Sequence, residues 1–219
     1  MVQEALKQLK ENIPARVTLV AVSKTKPKEL IQEAYAANQR IFGENKAQEM
    51  AEKHLALPKD IEWHFIGHLQ SNKIKYIAPF VSLIHAVDSV KLLKKIDQEG
   101  AKNERIIPVL LQFHIAKEAS KFGFNSTIID EMVANDLFTA LKHVEIRGVM
   151  GMATFTENEQ VVKEEFDTLK HIFDTLKSDV FNNESSFKEI SMGMSGDYPI
   201  AIAAGSTMIR VGSAIFGSR

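Results

Sequence analysis

Lys24 follows directly on a short apolar run, Val17-Thr18-Leu19-Val20-Ala21-Val22, closed by Ser23. A β-branched, nearly unbroken run of this kind reads as a strand buried on both faces of a parallel sheet. A lysine just past the carboxyl end of such a strand lies where open α/β sheets and barrels place their chemistry. A solvated lysine closing a strand has the same local appearance, and Lys26 and Lys28 stand close by. Two glycine-rich stretches lie far down the chain, SMGMSGD after a strand at Lys188–Met192 and RVGSAIFG after one at Thr207–Val211. In them Ser195, Gly196, Gly212 and Ser213 offer amide and hydroxyl donors to a phosphate, although tight turns favour the same residues. An amine facing a phosphate cradle suits an aldehyde-bearing phosphate held as a Schiff base. Pyridoxal 5′-phosphate fits, and so does a sugar phosphate in an aldolase. Arg210, two residues before Gly212, favours the former, because an inward arginine beside a pyridine nitrogen disfavours its protonation.

Positioning these residues requires elements of matching length. Val2, Ala5, Leu6 and Leu9 open the chain as an amphipathic helix ending near Asn12–Pro14. Strands are expected at 17–22, 40–43, 62–66, 81–87, 106–113, 144–150, 188–192 and 207–211. Helices are expected after Pro27, at 47–54, 71–76, 89–99, about 127–137, 159–176 and 200–204. Eight β/α units with no break in composition imply one (β/α)8 barrel over residues 1–219, with an extra amino-terminal helix. Its strand ends are Lys24, Asn45, Gly67-His68, Asp88, His114, Met152, Ser191–Ser195, and Arg210 with Gly212-Ser213.

The chain has 219 residues, 27 Lys+Arg against 28 Asp+Glu, a net charge of −1 and no cysteine. That charge supplies no general attraction to nucleic acid or an anionic membrane surface. Without cysteine there is no disulfide, thiolate metal site or thiol nucleophile. The amino terminus lacks the apolar segment of a signal peptide, and the cytoplasm is the expected compartment.

Several stretches together resemble one family: AVSKTKP at Ala21–Pro27, FGEN at Phe42–Asn45, HFIGHLQSNK at His64–Lys73, EASKFG at Glu118–Gly123, and the segment Met192–Gly217. They are similar to the YggS/PROSC family of pyridoxal phosphate homeostasis proteins. The resemblance implies a barrel like the amino-terminal domain of alanine racemase, with pyridoxal phosphate bound to Lys24. It implies Asn45 near the cofactor's hydroxyl edge, Ser195, Gly196, Gly212 and Ser213 at its phosphate, and Arg210 at its pyridine nitrogen. It also implies a protein that buffers or delivers the cofactor, with apo forms of pyridoxal-dependent enzymes as clients and effects on amino-acid and keto-acid balance. His114 stands where relatives are expected to carry asparagine, Gly196 where an acid is usual, and Ser213 where threonine is usual.

An amino-acid racemase of the alanine racemase type is the alternative. Racemisation needs a second acid/base on the opposite face of the carbanion, which in those enzymes comes from a further domain across a dimer. The chain ends soon after the eighth strand, so no strong catalysis and a monomer or weak dimer are expected. His64 and His68 have zinc-like spacing but read as strand and turn, with no third ligand nearby. Asp88 and Glu44 are possible general bases or helix caps. Met150, Met152, Met192 and Met194 read as core and pocket wall.

Overall fold

In a computed structural model describing residues 1–116 and 123–217, eight parallel strands close into a barrel in chain order. Between the opening helix α1 (Val2–Glu11) and the closing strand come β1 (Thr18–Val22), α2 (Lys28–Ala36), β2 (Ile41–Glu44), α3 (Ala47–Ala56) and β3 (Glu62–Phe65). A 3-10 turn at Ser71–Tyr76, not an α-helix, leads to β4 (Leu83–Val87), α4 (Val90–Lys102) and β5 (Ile107–Gln112). The second half runs α5 (Ser126–Ala134), α6 (Leu137–Ala140), β6 (Val144–Met150), α7 (Glu159–Asp179), β7 (Glu189–Ser191), α8 (Tyr198–Ala203), β8 (Met208–Val211) and α9 (Ser213–Phe216). The EASKFG stretch, apart from Gly123, lies outside the described residues.

One expected helix, about 127–137, is broken. α5 stops at Ala134, and Asp136 takes a left-handed φ of 51° before α6 begins. α9 also adds a short helix within GSAIFG.

Strand alternation divides the core in two. Val20, Leu83, Ala86, Leu110, Met150 and Met208 cluster inside the barrel. Leu19, Ala21, Phe42, Trp63, Phe65, Val109 and Ile209 pack outward with Ile31, Met50, Leu93 and Phe166 in the helical layer. The register pairs Val20 with Arg210 and Val22 with Gly43. Two residues beyond the second pair, both chains reach the barrel mouth at Lys24 and Asn45.

Candidate functional site

Ser23 faces the helical layer, where its Oγ donates to Glu44 Oε1 at 2.6 Å. The next residue, Lys24, therefore turns to the barrel side and is partly exposed. Its Nζ makes no hydrogen bond or ion pair among the described residues. Lys26 differs, since its Nζ donates to the carbonyls of Phe216 and Gly217 at 3.2 and 3.0 Å, holding the end of α9. The local alternatives are thus separated by tertiary contacts: Lys24 is unpartnered and Lys26 is engaged.

Asn45, half-buried at the end of β2, has a buried Oδ1 with no hydrogen-bond partner among the described residues. A Cβ at Gly67 would lie 2.6–2.8 Å from Asn45 atoms, so that glycine lets β3 close against Asn45. On the far side of the mouth, Ser195 Oγ accepts from Gly212 N–H at 3.2 Å, joining the loops after β7 and β8. The backbone N–H groups of Ser195, Gly196 and Ser213 donate to nothing among the described residues. Gly196 is exposed, and a Cβ there would meet nothing within 4 Å. An acidic side chain would fit the space, so its replacement by glycine is not a steric requirement.

Arg210 points inward and is 4% exposed. Its Nη1 donates to Ser191 O at 2.8 Å and Ser191 Oγ at 2.6 Å, and its Nη2 to Gly151 O at 3.1 Å. Burial lowers its pKa to about 10, against a smaller upward pull from Asp197. Among the described residues its Nε and the second Nη2 hydrogen have no acceptor, and arginine's fixed fork keeps them available for one.

Behind Arg210 runs a buried chain that sequence reasoning missed. Ser191 Oγ lies 2.9 Å from His85 Nδ1, and His85 Nε2 lies 3.0 Å from His64 Nδ1. Arg210 only donates, so Ser191 Oγ accepts from it and passes its own hydrogen to His85 Nδ1. His85 Nε2–H then donates to His64 Nδ1, an assignment of tautomers that gives every hydrogen between these groups an acceptor. Both rings are held neutral. His64 is lowered to about 3 by burial and then by Arg147, and His85 well below its ordinary value by burial, His64 and Arg210. The available signal was a histidine at inward-facing parity within the apolar strand SLIHAV.

The other expected residues are dispersed. His64 lies in the barrel interior while His68 is exposed at the mouth, its Nδ1 3.0 Å from Asp88 Oδ2. Among the described residues no cluster of three or more metal-ligating side chains occurs. Glu44 does not face the mouth: it is buried toward α3, 2.7 Å from Lys53 Nζ, and burial raises its pKa against the opposing pull of Lys53. Asp88 does not cap α4, whose first turn is held by Ser89. His114 is exposed just past β5. Met150 and Met192 are buried, whereas Met152 and Met194 are 44% and 37% exposed at the rim.

Residues 2–219 match the family model described as alanine racemase, N-terminal domain. The chain is 40% identical over 214 residues to the pyridoxal phosphate homeostasis protein of Vibrio alginolyticus, covering 94% of this chain and 88% of that protein. It is also similar to the solved structure of PipY from Synechococcus elongatus without PLP, with a TM-score of 0.92 at 34% identity, covering 99% of this chain and all of PipY. The PipY structure with PLP bound gives a TM-score of 0.88 at the same identity and coverage.

Proposed function

Because the chain belongs to the YggS/PROSC family of pyridoxal phosphate homeostasis proteins, we propose that it holds pyridoxal 5′-phosphate at the barrel mouth and buffers or delivers it. When bound, this group supplies an aldehyde that condenses with an amine and a ring able to accept electrons. The chain's own residues fit it. Lys24 contributes an amine with no partner among the described residues, and would hold the group at its aldehyde. Arg210 would offer its remaining donors to the ring nitrogen and, as a cation, would disfavour a proton there. Asn45 carries the orphaned Oδ1 expected beside the ring hydroxyl. The open N–H groups of Ser195, Gly196 and Ser213 and the Ser195 hydroxyl, whose oxygen Gly212 N–H holds in place, would form the phosphate cradle. The observation that carries the reading is the free Lys24 amine on the same rim as the inward Arg210.

Residues 1–219 act as one unit in this reading, in the cytoplasm, with apo pyridoxal-dependent enzymes as recipients and no strong catalysis of its own. Among the described residues no helix is long and apolar enough to cross a membrane. A slow racemase is the second reading, favoured by the exposed His68–Asp88 pair, since an imidazole beside a carboxylate can carry a proton. Deuterium incorporation at Cα of amino acids discriminates: a carrier exchanges no faster than free cofactor, whereas enzyme-like rates support the racemase.

The test of the site is the visible spectrum after incubation with pyridoxal phosphate, before and after borohydride. Wild type is expected to gain a band that borohydride abolishes, with the adduct mapped to Lys24. Lys24→Ala is expected to show neither. Labelling of another lysine in wild type refutes the assignment.

A further inference from the structure

The segment Ser23-Lys24-Thr25 is gripped from behind by a buried charge cluster between β2 and α3. Lys53, 5% exposed on α3, donates from Nζ to the Ser23 carbonyl at 2.8 Å, to Glu44 Oε1 at 2.7 Å and to Glu49 Oε1 at 2.7 Å. All three ammonium hydrogens are used. Glu44 Oε1 accepts in addition from Ser23 Oγ, and Glu49 Oε1 from the Thr25 N–H at 2.7 Å. The carbonyl preceding Lys24 and the N–H following it therefore terminate on the same three charges.

The cost of this arrangement argues against a role in stability alone. Taking an ammonium and a carboxylate out of water costs several kcal/mol per ion, and apolar residues of similar volume often serve the fold as well. Glu44 is fully buried and its Oε2 has no partner among the described residues, an added penalty. The grip also restrains a strained backbone, since Thr25, a β-branched residue, holds a left-handed φ of 64°. A cluster that is expensive, strained and directed at the two peptide groups around one side chain is suited to presenting that side chain.

We infer that Lys53, with Glu44 and Glu49, is a positioning cluster for Lys24, holding the flanking peptides so that its Nζ is aimed into the barrel mouth before any aldehyde arrives. The inference rests on the reading of Lys24 as the anchoring amine. Among the described residues none of the three side chains bonds to Lys24 Nζ, whereas they bond to the peptides on either side of it, so they act through the backbone and not on the reacting atoms.

The test follows the rate at which the visible band forms when full-length protein is mixed with pyridoxal phosphate, beside a thermal melt of each variant. Glu49→Ala removes the acceptor for Thr25 N–H at a partly exposed position and is expected to fold. It is expected to slow formation of the Lys24 adduct by about tenfold, as loss of preset geometry does. Glu49→Gln, which keeps an acceptor, restores most of the rate. Lys53→Met is expected to slow it further and Lys53→Arg to recover part. A cluster serving only the fold lowers the melting temperature and leaves the rate of the folded protein at the wild-type value, which refutes the inference. If Lys53→Met does not fold, the Glu49 pair decides. A wild type that forms no band removes the reading of Lys24, and the inference with it; a wild-type band with unchanged Glu49→Ala kinetics removes the inference alone.

Discussion

Three N–H groups of Arg210 are committed to neutral oxygens of Ser191 and Gly151, with no carboxylate bonded to it among the described residues. Ser191 Oγ is the shared link between this cation and the histidine pair. Ser191→Ala leaves an Arg210 donor and His85 Nδ1 without partners and is expected to cost about 1–3 kcal/mol, read by urea denaturation. An unchanged midpoint would show that the chain is not bonded as described. The histidines also set a pH dependence. Folded His64 titrates near 3 and His85 well below its ordinary value, whereas in the unfolded chain both return to about 6.5. Across that window the unfolded chain binds protons that the folded chain refuses, so stability is full above about pH 6.5 and is lost as pH falls. Glu44 acts in the opposite sense, because its raised pKa makes the folded state keep a proton longer as pH rises, but Lys53 offsets part of that. The urea midpoint is therefore expected to fall between pH 7 and 5; a flat or rising midpoint contradicts two buried neutral imidazoles.

The bulge in β6 is the element on which the position of Arg210 turns. The β5–β6 register shifts between Val109 and Leu110, opposite Gly148, whose φ is +151°. A Cβ there would lie 1.8 Å from Glu189 O on β7, so only glycine permits the approach. Downstream, the same strand delivers the Gly151 carbonyl to Arg210. Gly148→Ala is expected to cost more than about 3 kcal/mol, in the range where backbone clash and conformational strain combine. The measurement is soluble yield and a thermal melt, and a variant as stable as wild type would place the clash elsewhere. By contrast α7 follows ordinary helix rules: Asn158 Oδ1 accepts from the N–H groups of Gln160 and Val161, and Val162, Phe166, Leu169 and Leu176 form the buried stripe.

At the scale of the whole molecule, the proposed ligand site lies across the seam where β8 meets β1. Lys24 extends from β1, and Arg210 and Gly212 belong to β8 and its end, with Val20 directly opposite Arg210. A ligand bound at both sides of that seam ties the ends of the barrel together and is absent from the unfolded chain. At a hundredfold excess over Kd it stabilises the fold by about 2.7 kcal/mol. For a chain of this size that corresponds to a rise of roughly 5–10 °C in the melting temperature. Pyridoxal phosphate is expected to produce this shift in wild type and a smaller one in Lys24→Ala. Equal shifts in both would indicate binding away from Lys24.

The barrel was legible in the linear order of residues because strands buried on both faces leave a local trace: short β-branched runs punctuated by Gly, Pro, Ser and Asn. From those runs the mouth residues Lys24, Asn45, Arg210 and Gly212 could be placed at strand ends before any contact was known. What escaped depends on distance along the chain. Ser191 and His85 are 106 residues apart and meet only because the barrel closes. Lys53 looks like a partner for Glu49 one helical turn away, and only packing of α3 against the end of β2 reveals that it also holds the Ser23 carbonyl. The bulge at Gly148 likewise answers to a distant neighbour, the Glu189 carbonyl on β7. Local patterning determined which residues reach the mouth; tertiary structure decided which of them are free to act, because side-chain partners and desolvation arise only when distant strands and helices close together.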